Sequence, residues 1–183
     1  KDWTYKGGKY EETAVLYRSN AQSRAIEEAL LRVNIPYRIY GGLRFYERLE
    51  IKNAIAYLRV IFNNNDNPSF ERSISNPTRG VGEKTLGKIR QISKEFNISF
   101  IEASTKLINE SSISGRGGAG LKDYLEFISG CKSFIKENTL SELMELIIKE
   151  TGLYAYHAKE AGEKGKTRIE NLEELITATI NFE

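Results

Sequence analysis

Gly80 and Gly82 stand one residue apart just ahead of a helix-forming run, within Asn76-Pro77-Thr78-Arg79-Gly80-Val81-Gly82-Glu83-Lys84-Thr85. Glycines at that spacing let a backbone turn tightly and approach something bulky. A helix opening at Glu83 aims its unpaired N–H groups at whatever occupies the turn, and those groups favour an anion. Arg79, Lys84 and Thr85 add side-chain donors suited to phosphate oxygens. One reading is a helix-hairpin-helix-like grip on a nucleic-acid backbone. The other is a plain helix–turn–helix corner whose glycines serve packing. These ten residues leave both open.

Basic and hydrogen-bonding residues gather at two places. Arg18-Ser19-Asn20 follows a short apolar run, at the end of a strand where open α/β sheets bind ligands. Arg44, Arg48 and Lys52 form a second group together with Arg79, Lys84, Thr85 and Lys88.

Other chemistries are poorly supported. Gly162-Glu163-Lys164-Gly165-Lys166-Thr167 ends like a phosphate-binding P-loop, but the required first glycine is Glu160 and no strand leads in. In Gly82-Glu83-Lys84-Thr85 a glutamate stands where the lysine must be. His157 is the only histidine and has no cysteine or histidine partner at ligand spacing, which argues against a zinc site or a histidine-based triad. Cys131 cannot form an intrachain disulfide and reads as a buried structural thiol in a reducing, cytoplasmic setting. Glu27, Glu28, Glu173 and Glu174 read as solvated helix faces. No catalytic, cofactor-binding or metal-ligating set is expected in this chain.

The elements that must position these residues change character along the chain. Thr13–Tyr17 is an apolar run of strand length, and Ser19 with Gln22 has capping-box spacing. A helix follows with Ile26, Leu30 and Val33 on one face, and Tyr37–Tyr40 alternates as a second strand. The expectation for residues 1–42 is a strand–helix–strand fragment of an α/β domain that needs further sheet to be covered. Residues 43–183 read as helical. Helices are expected over Tyr46–Phe62, from Pro68, after Gly82 to about Phe96, from Ser99, over Leu121–Glu137, from Thr139, over Tyr154–Ala161 and from Thr167. Glu110–Gly120 is Ser/Gly-rich and reads as a mobile loop. The fold class is mainly α with a small N-terminal βαβ stub.

With 183 residues the chain can bury a sizeable core, and its net charge of +2 neither demands nor excludes nucleic acid. No apolar run approaches the roughly 20 residues that span a bilayer, so no membrane partner is expected. The chain starts at Lys1 without a charged-then-apolar leader and reads as a piece of something longer with no visible targeting signal.

Several stretches resemble one family. Ala14-Val15-Leu16-Tyr17-Arg18-Ser19-Asn20-Ala21-Gln22-Ser23-Arg24 looks like the segment after motif IV of UvrD/PcrA/Rep-type superfamily 1 DNA helicases. Pro36 to Arg48, with Glu50-Ile51-Lys52, is similar to their next signature. Asn76–Gly82 resembles the stretch around their "GIG" turn, and Arg168–Glu174 the end of their inserted helical domain. Val81 stands for the usual isoleucine and Asn53 for a common aspartate. The resemblance implies that residues 1–42 open the RecA-like domain 2A and that residues 43–183 form the inserted 2B accessory domain. It implies 3′ to 5′ unwinding in repair and replication restart by a parent that uses ATP and Mg²⁺, whose Walker motifs are absent here. By the same resemblance, Arg18 and Asn20 contact single-stranded DNA. Arg44, Arg48, Lys52, Thr78, Arg79, Gly80, Val81, Gly82, Lys84 and Thr85 contact the duplex. Partners are then a DNA junction, the remaining helicase domains and repair proteins. The alternative is a regulatory protein-interaction module that restrains the motor and docks repair partners.

Overall fold

The structure is a computed structural model that describes residues 5–39 and 43–180. They divide into two compact units, 1–48 and 49–183.

In the first unit, a 3₁₀ turn over Asn20–Gln22 leads into helix α1 (Ser23–Arg32). The Ser19–Gln22 capping box forms as its spacing predicts. The expected strands do not: residues 13–17 and 37–39 carry no strand, and Tyr40 lies outside the described residues. Parallel strands are stable through ladder bonds and covering layers. Among the described residues these segments have neither, and Leu16 is 94% exposed. The βαβ stub is therefore corrected to a helix flanked by unpaired segments, and the described chain is helical.

Glu27 is also corrected, from solvated to buried. Its carboxylate accepts from the Tyr37 hydroxyl (3.2 Å) and the Phe45 N–H (3.2 Å).

The second unit is built around α2 (Leu49–Phe62), whose Ile51, Ala54, Tyr57 and Val60 are buried. Against α2 pack α3 (Asn67–Ser75), α6 (Gly115–Phe134), α7 (Leu140–Glu150) and α9 (Glu163–Ile180). Between them run α4 (Glu83–Phe96) paired with α5 (Phe100–Asn109), and the short α8 (Leu153–Ala158). Local signals explain most boundaries: Asp66 caps α3 ahead of Pro68, and capping boxes at Ser99–Glu102 and Thr139–Glu142 open α5 and α7.

An aromatic cluster fills the interior. Phe70 meets Tyr124 edge-to-face at 5.3 Å and Phe100 at 5.9 Å, and the Tyr124 hydroxyl lies 2.7 Å from Ser73 Oγ. Cys131 is buried, and burial pushes its thiol up to about 11, which suits a packing role.

Two expectations fail in this unit. The Ser/Gly-rich segment is helical from Gly115 onward, and α9 starts at Glu163, which puts Thr167 and Glu170 inside the helix rather than at its cap. Glycine opposes helix by about 1 kcal/mol per residue relative to alanine, so tertiary packing must hold the start of α6.

Candidate nucleic-acid interface

The turn ahead of α4 has two different glycines. Gly80 takes φ +76°, a left-handed conformation that side chains rarely adopt. Gly82 is extended (φ −98°, ψ −178°), and a Cβ there would meet nothing within 4 Å. The fold therefore requires glycine at 80, whereas at 82 it leaves the backbone open to something outside. Val81 between them is buried and pins the turn.

No side chain caps α4. Its Thr85 and Leu86 N–H groups reach the Gly82 carbonyl at 3.0 and 3.1 Å, while the Glu83 and Lys84 N–H groups find no partner among the described residues. Lys84 is exposed and Thr85 half-buried beside them. Glu83, the one acid in this first turn, is ion-paired with Arg90, which also grips Glu71 on α3 bidentately (2.6 and 2.9 Å). Lys88 donates to the Ser112 carbonyl at 2.9 Å.

Arg79 points inward. Its guanidinium lies 5.7 Å from the Tyr57 ring centroid and donates to the Tyr57 hydroxyl (2.7 Å) and the Thr151 carbonyl (3.3 Å). The Tyr57 hydroxyl in turn donates to the Asn76 carbonyl (3.0 Å), and burial pushes that phenol up to about 12. Arg79 thus anchors the turn to α2 instead of presenting a cation to solvent.

The start of α6 lies directly against this turn. A Cβ on Gly120 would fall 1.9 Å from the Arg79 carbonyl oxygen, and one on Gly117 would fall 3.1 Å from Thr85 Oγ1. The two glycines are three residues apart, on one helix face. That three-residue spacing is the sequence signal for a helix docked through small residues, inside a stretch whose Ser/Gly composition reads as loop. Gly80, Gly117 and Gly120 serve packing, as the corner reading expects, while Gly82 and the Glu83 and Lys84 N–H groups are left open.

Other expected contacts sit as follows. In the first unit, Arg18 and Asn20 are exposed, and Arg44 is exposed with its guanidinium over the Tyr37 ring. Arg48 is 8% exposed and donates to the Asn20 carbonyl and Ser23 Oγ (both 2.8 Å), so its head is buried in that unit. In the second unit, Lys52 is exposed on α2, and no described contact joins it to the turn. Thr78 is exposed.

The P-loop look-alike is a helix start. Gly165 is buried in the first turn of α9, where a Cβ would fall 2.4 Å from the Glu160 carbonyl and 2.8 Å from that of His157. These residues do not fit a nucleotide, because the backbone at Gly165 faces protein. Among the described residues no helix is long and apolar enough to cross a membrane.

His157 is 1% exposed, with Nδ1 3.4 Å from Glu160 and an unpartnered Nε2. Burial lowers its pKa below the ordinary imidazole value, against the pull of Glu160. The unfolded chain therefore takes up this proton first, and stability is lost as pH falls from about 6.5 towards the lower folded value. Thermal melts at pH 7.5 and 5.5 should show a larger acid loss for the native chain than for His157→Gln; equal losses would remove His157 as the cause.

Residues 1–183 match the family profile of the UvrD-like helicase C-terminal domain. The chain is similar to DNA helicase II of Escherichia coli (strain K12), 47% identical over 182 residues, which are 100% of this chain and 25% of that protein. The Haemophilus influenzae DNA helicase II is 49% identical over the same shares. ATP-dependent DNA helicase PcrA of Leuconostoc citreum is 35% identical over 174 residues, 95% of this chain and 23% of that protein. The chain thus spans about a quarter of the length of the curated relatives it matches.

Proposed function

We infer the role of this chain from its family: it belongs to the UvrD-like helicases, whose C-terminal-domain profile it matches along its whole length. It acts as a DNA-contacting accessory segment of an ATP-dependent 3′ to 5′ DNA helicase of repair and replication restart. Residues 1–42 open the 2A domain, with Arg18 and Asn20 towards single-stranded DNA. Residues 43–183 form the 2B domain, in which Thr78, Gly80, Val81, Gly82, Lys84 and Thr85 hold the duplex backbone; Lys52 and, separately in the N-terminal unit, Arg44 are further duplex contacts. Arg79 supports the grip from beneath, and Arg48 braces the N-terminal unit. ATP and Mg²⁺ belong to the parent's motor, outside these residues. The segment alone neither hydrolyses ATP nor unwinds DNA.

The observation that carries this reading is the open end of α4. Unspent N–H groups, an exposed Lys84 and an unobstructed Gly82 sit together, with Glu83, the acid of the helix's first turn, occupied by Arg90. Such a surface takes phosphate oxygens without reading bases, so binding should be independent of sequence and steeply salt-dependent.

Lys84→Ala/Thr85→Ala should weaken binding to a duplex with a single-stranded tail evenly across sequences. The log–log salt slope should fall by about one. Fluorescence anisotropy at several salt concentrations reads both. Unchanged binding would remove the turn as the grip and turn attention to partner docking on exposed helix faces.

A further inference from the structure

We propose that Arg116 is a further phosphate-contacting residue of the duplex grip, carried on α6 and seated across Gly80. The proposal rests on the DNA-grip reading above. It places a contact in a stretch whose composition reads as loop, and it makes the grip two-sided, from α4 and from α6.

The seat is specific. A Cβ on Gly80 would fall 2.6 Å from Arg116 Cγ and 3.1 Å from both Cδ and Nε, so the arginine stem lies flat over the glycine. Its apolar stem is packed while the residue as a whole is exposed, the usual disposition of an arginine that keeps its charge in water. It makes no ion pair with any described residue. The nearest acid of the turn, Glu83, is already held by Arg90.

Position and rigidity come from the helix behind it. A Cβ on Gly117 would fall 3.1 Å from Thr85 Oγ1 and 3.4 Å from the Gly80 carbonyl oxygen, and one on Gly120 1.9 Å from the Arg79 carbonyl oxygen, so this face of α6 lies close against the turn. Arg116 is therefore fixed to the same rigid piece as Lys84 and Thr85, with its flexible stem shortened by the contact with Gly80. A guanidinium so placed offers a planar fork that matches two phosphate oxygens, at less entropic loss than a free arm. Gly80 thereby gains a second reason to be glycine besides its positive φ.

The test uses the full-length parent protein and a duplex with a single-stranded tail, titrated by anisotropy across a salt series. Arg116→Met keeps a stem on Gly80 and removes the charge. Affinity should fall about tenfold, the scale of one charge-assisted hydrogen-bonded contact, and the salt slope by about one. Arg116→Lys should restore the slope and only part of the affinity. Lys84→Ala is the benchmark. A lowered slope for Lys84→Ala with none for Arg116→Met overturns the assignment and leaves the grip standing. No change for either variant removes the grip itself. Equal weakening by Arg116→Met and Arg116→Lys at unchanged slope means packing alone, and also overturns it.

Discussion

Glu50→Ala should destabilise the helical unit by about 3 kcal/mol, the low end of what breaking a buried ion pair costs. Glu50 is 4% exposed in the first turn of α2. One carboxylate oxygen accepts from Asn171 Nδ2 at 2.6 Å, and the other lies 3.8 Å from Arg168 Nε. Arg168 also donates to Glu160 at 2.5 Å, and Glu160 faces His157. This chain of polar groups ties α2, α8 and α9 together. Alanine would leave the buried amide of Asn171 and one side of Arg168 without that carboxylate. Arg168 keeps Glu160 and some access to water, which holds the loss below the upper end of the range.

Urea unfolding checks this. The midpoint should drop by about 1.5 M at unchanged slope, taking a slope of about 2 kcal/mol/M. Glu50→Gln keeps the hydrogen bond to Asn171 and should cost about 1 kcal/mol. A loss under about 1 kcal/mol for the alanine variant would mean that Asn171 and Arg168 re-pair without Glu50.

The same network shows where sequence patterns run out. Helix starts carried by capping boxes and by Pro68 were legible because each depends on side chains within four residues. The polar network depends on residues 121 positions apart, Glu50 and Asn171, and nothing local marks it. Arg48 and Arg79 fail as exposed cations for a related reason. A basic residue beside a glycine turn reads the same whether it faces DNA or an internal tyrosine, and for Arg79 it is Tyr57 and the Thr151 carbonyl, reached across 22 and 72 positions, that decide it. The lost strands are a different case. Thr13–Tyr17 has the composition of a buried parallel strand, but a strand is a property of the ladder and not of the run.

The glycines of α6 give the second large effect and separate packing from binding within one helix. Gly120→Ala should destabilise by about 1–3 kcal/mol, although alanine in an unobstructed helix gains about 1 kcal/mol over glycine. The new Cβ would fall 1.9 Å from the Arg79 carbonyl oxygen and 3.0 Å from its carbon. Both are backbone atoms, so no side chain can rotate away and α6 must lift from the turn. Gly130→Ala in the same helix meets nothing within 4 Å and should stabilise by about 0.5–1 kcal/mol. Urea midpoints of the two variants should therefore move in opposite directions. Lifting α6 also carries Arg116 away from Gly80 and loosens the carbonyl that precedes the turn, so Gly120→Ala should lose DNA affinity and salt slope with Lys84 intact. Gly130→Ala should bind as the native chain does. If Gly120→Ala matches Gly130→Ala in both measurements, the helix is not seated on the turn, and the glycines there answer to something other than close packing.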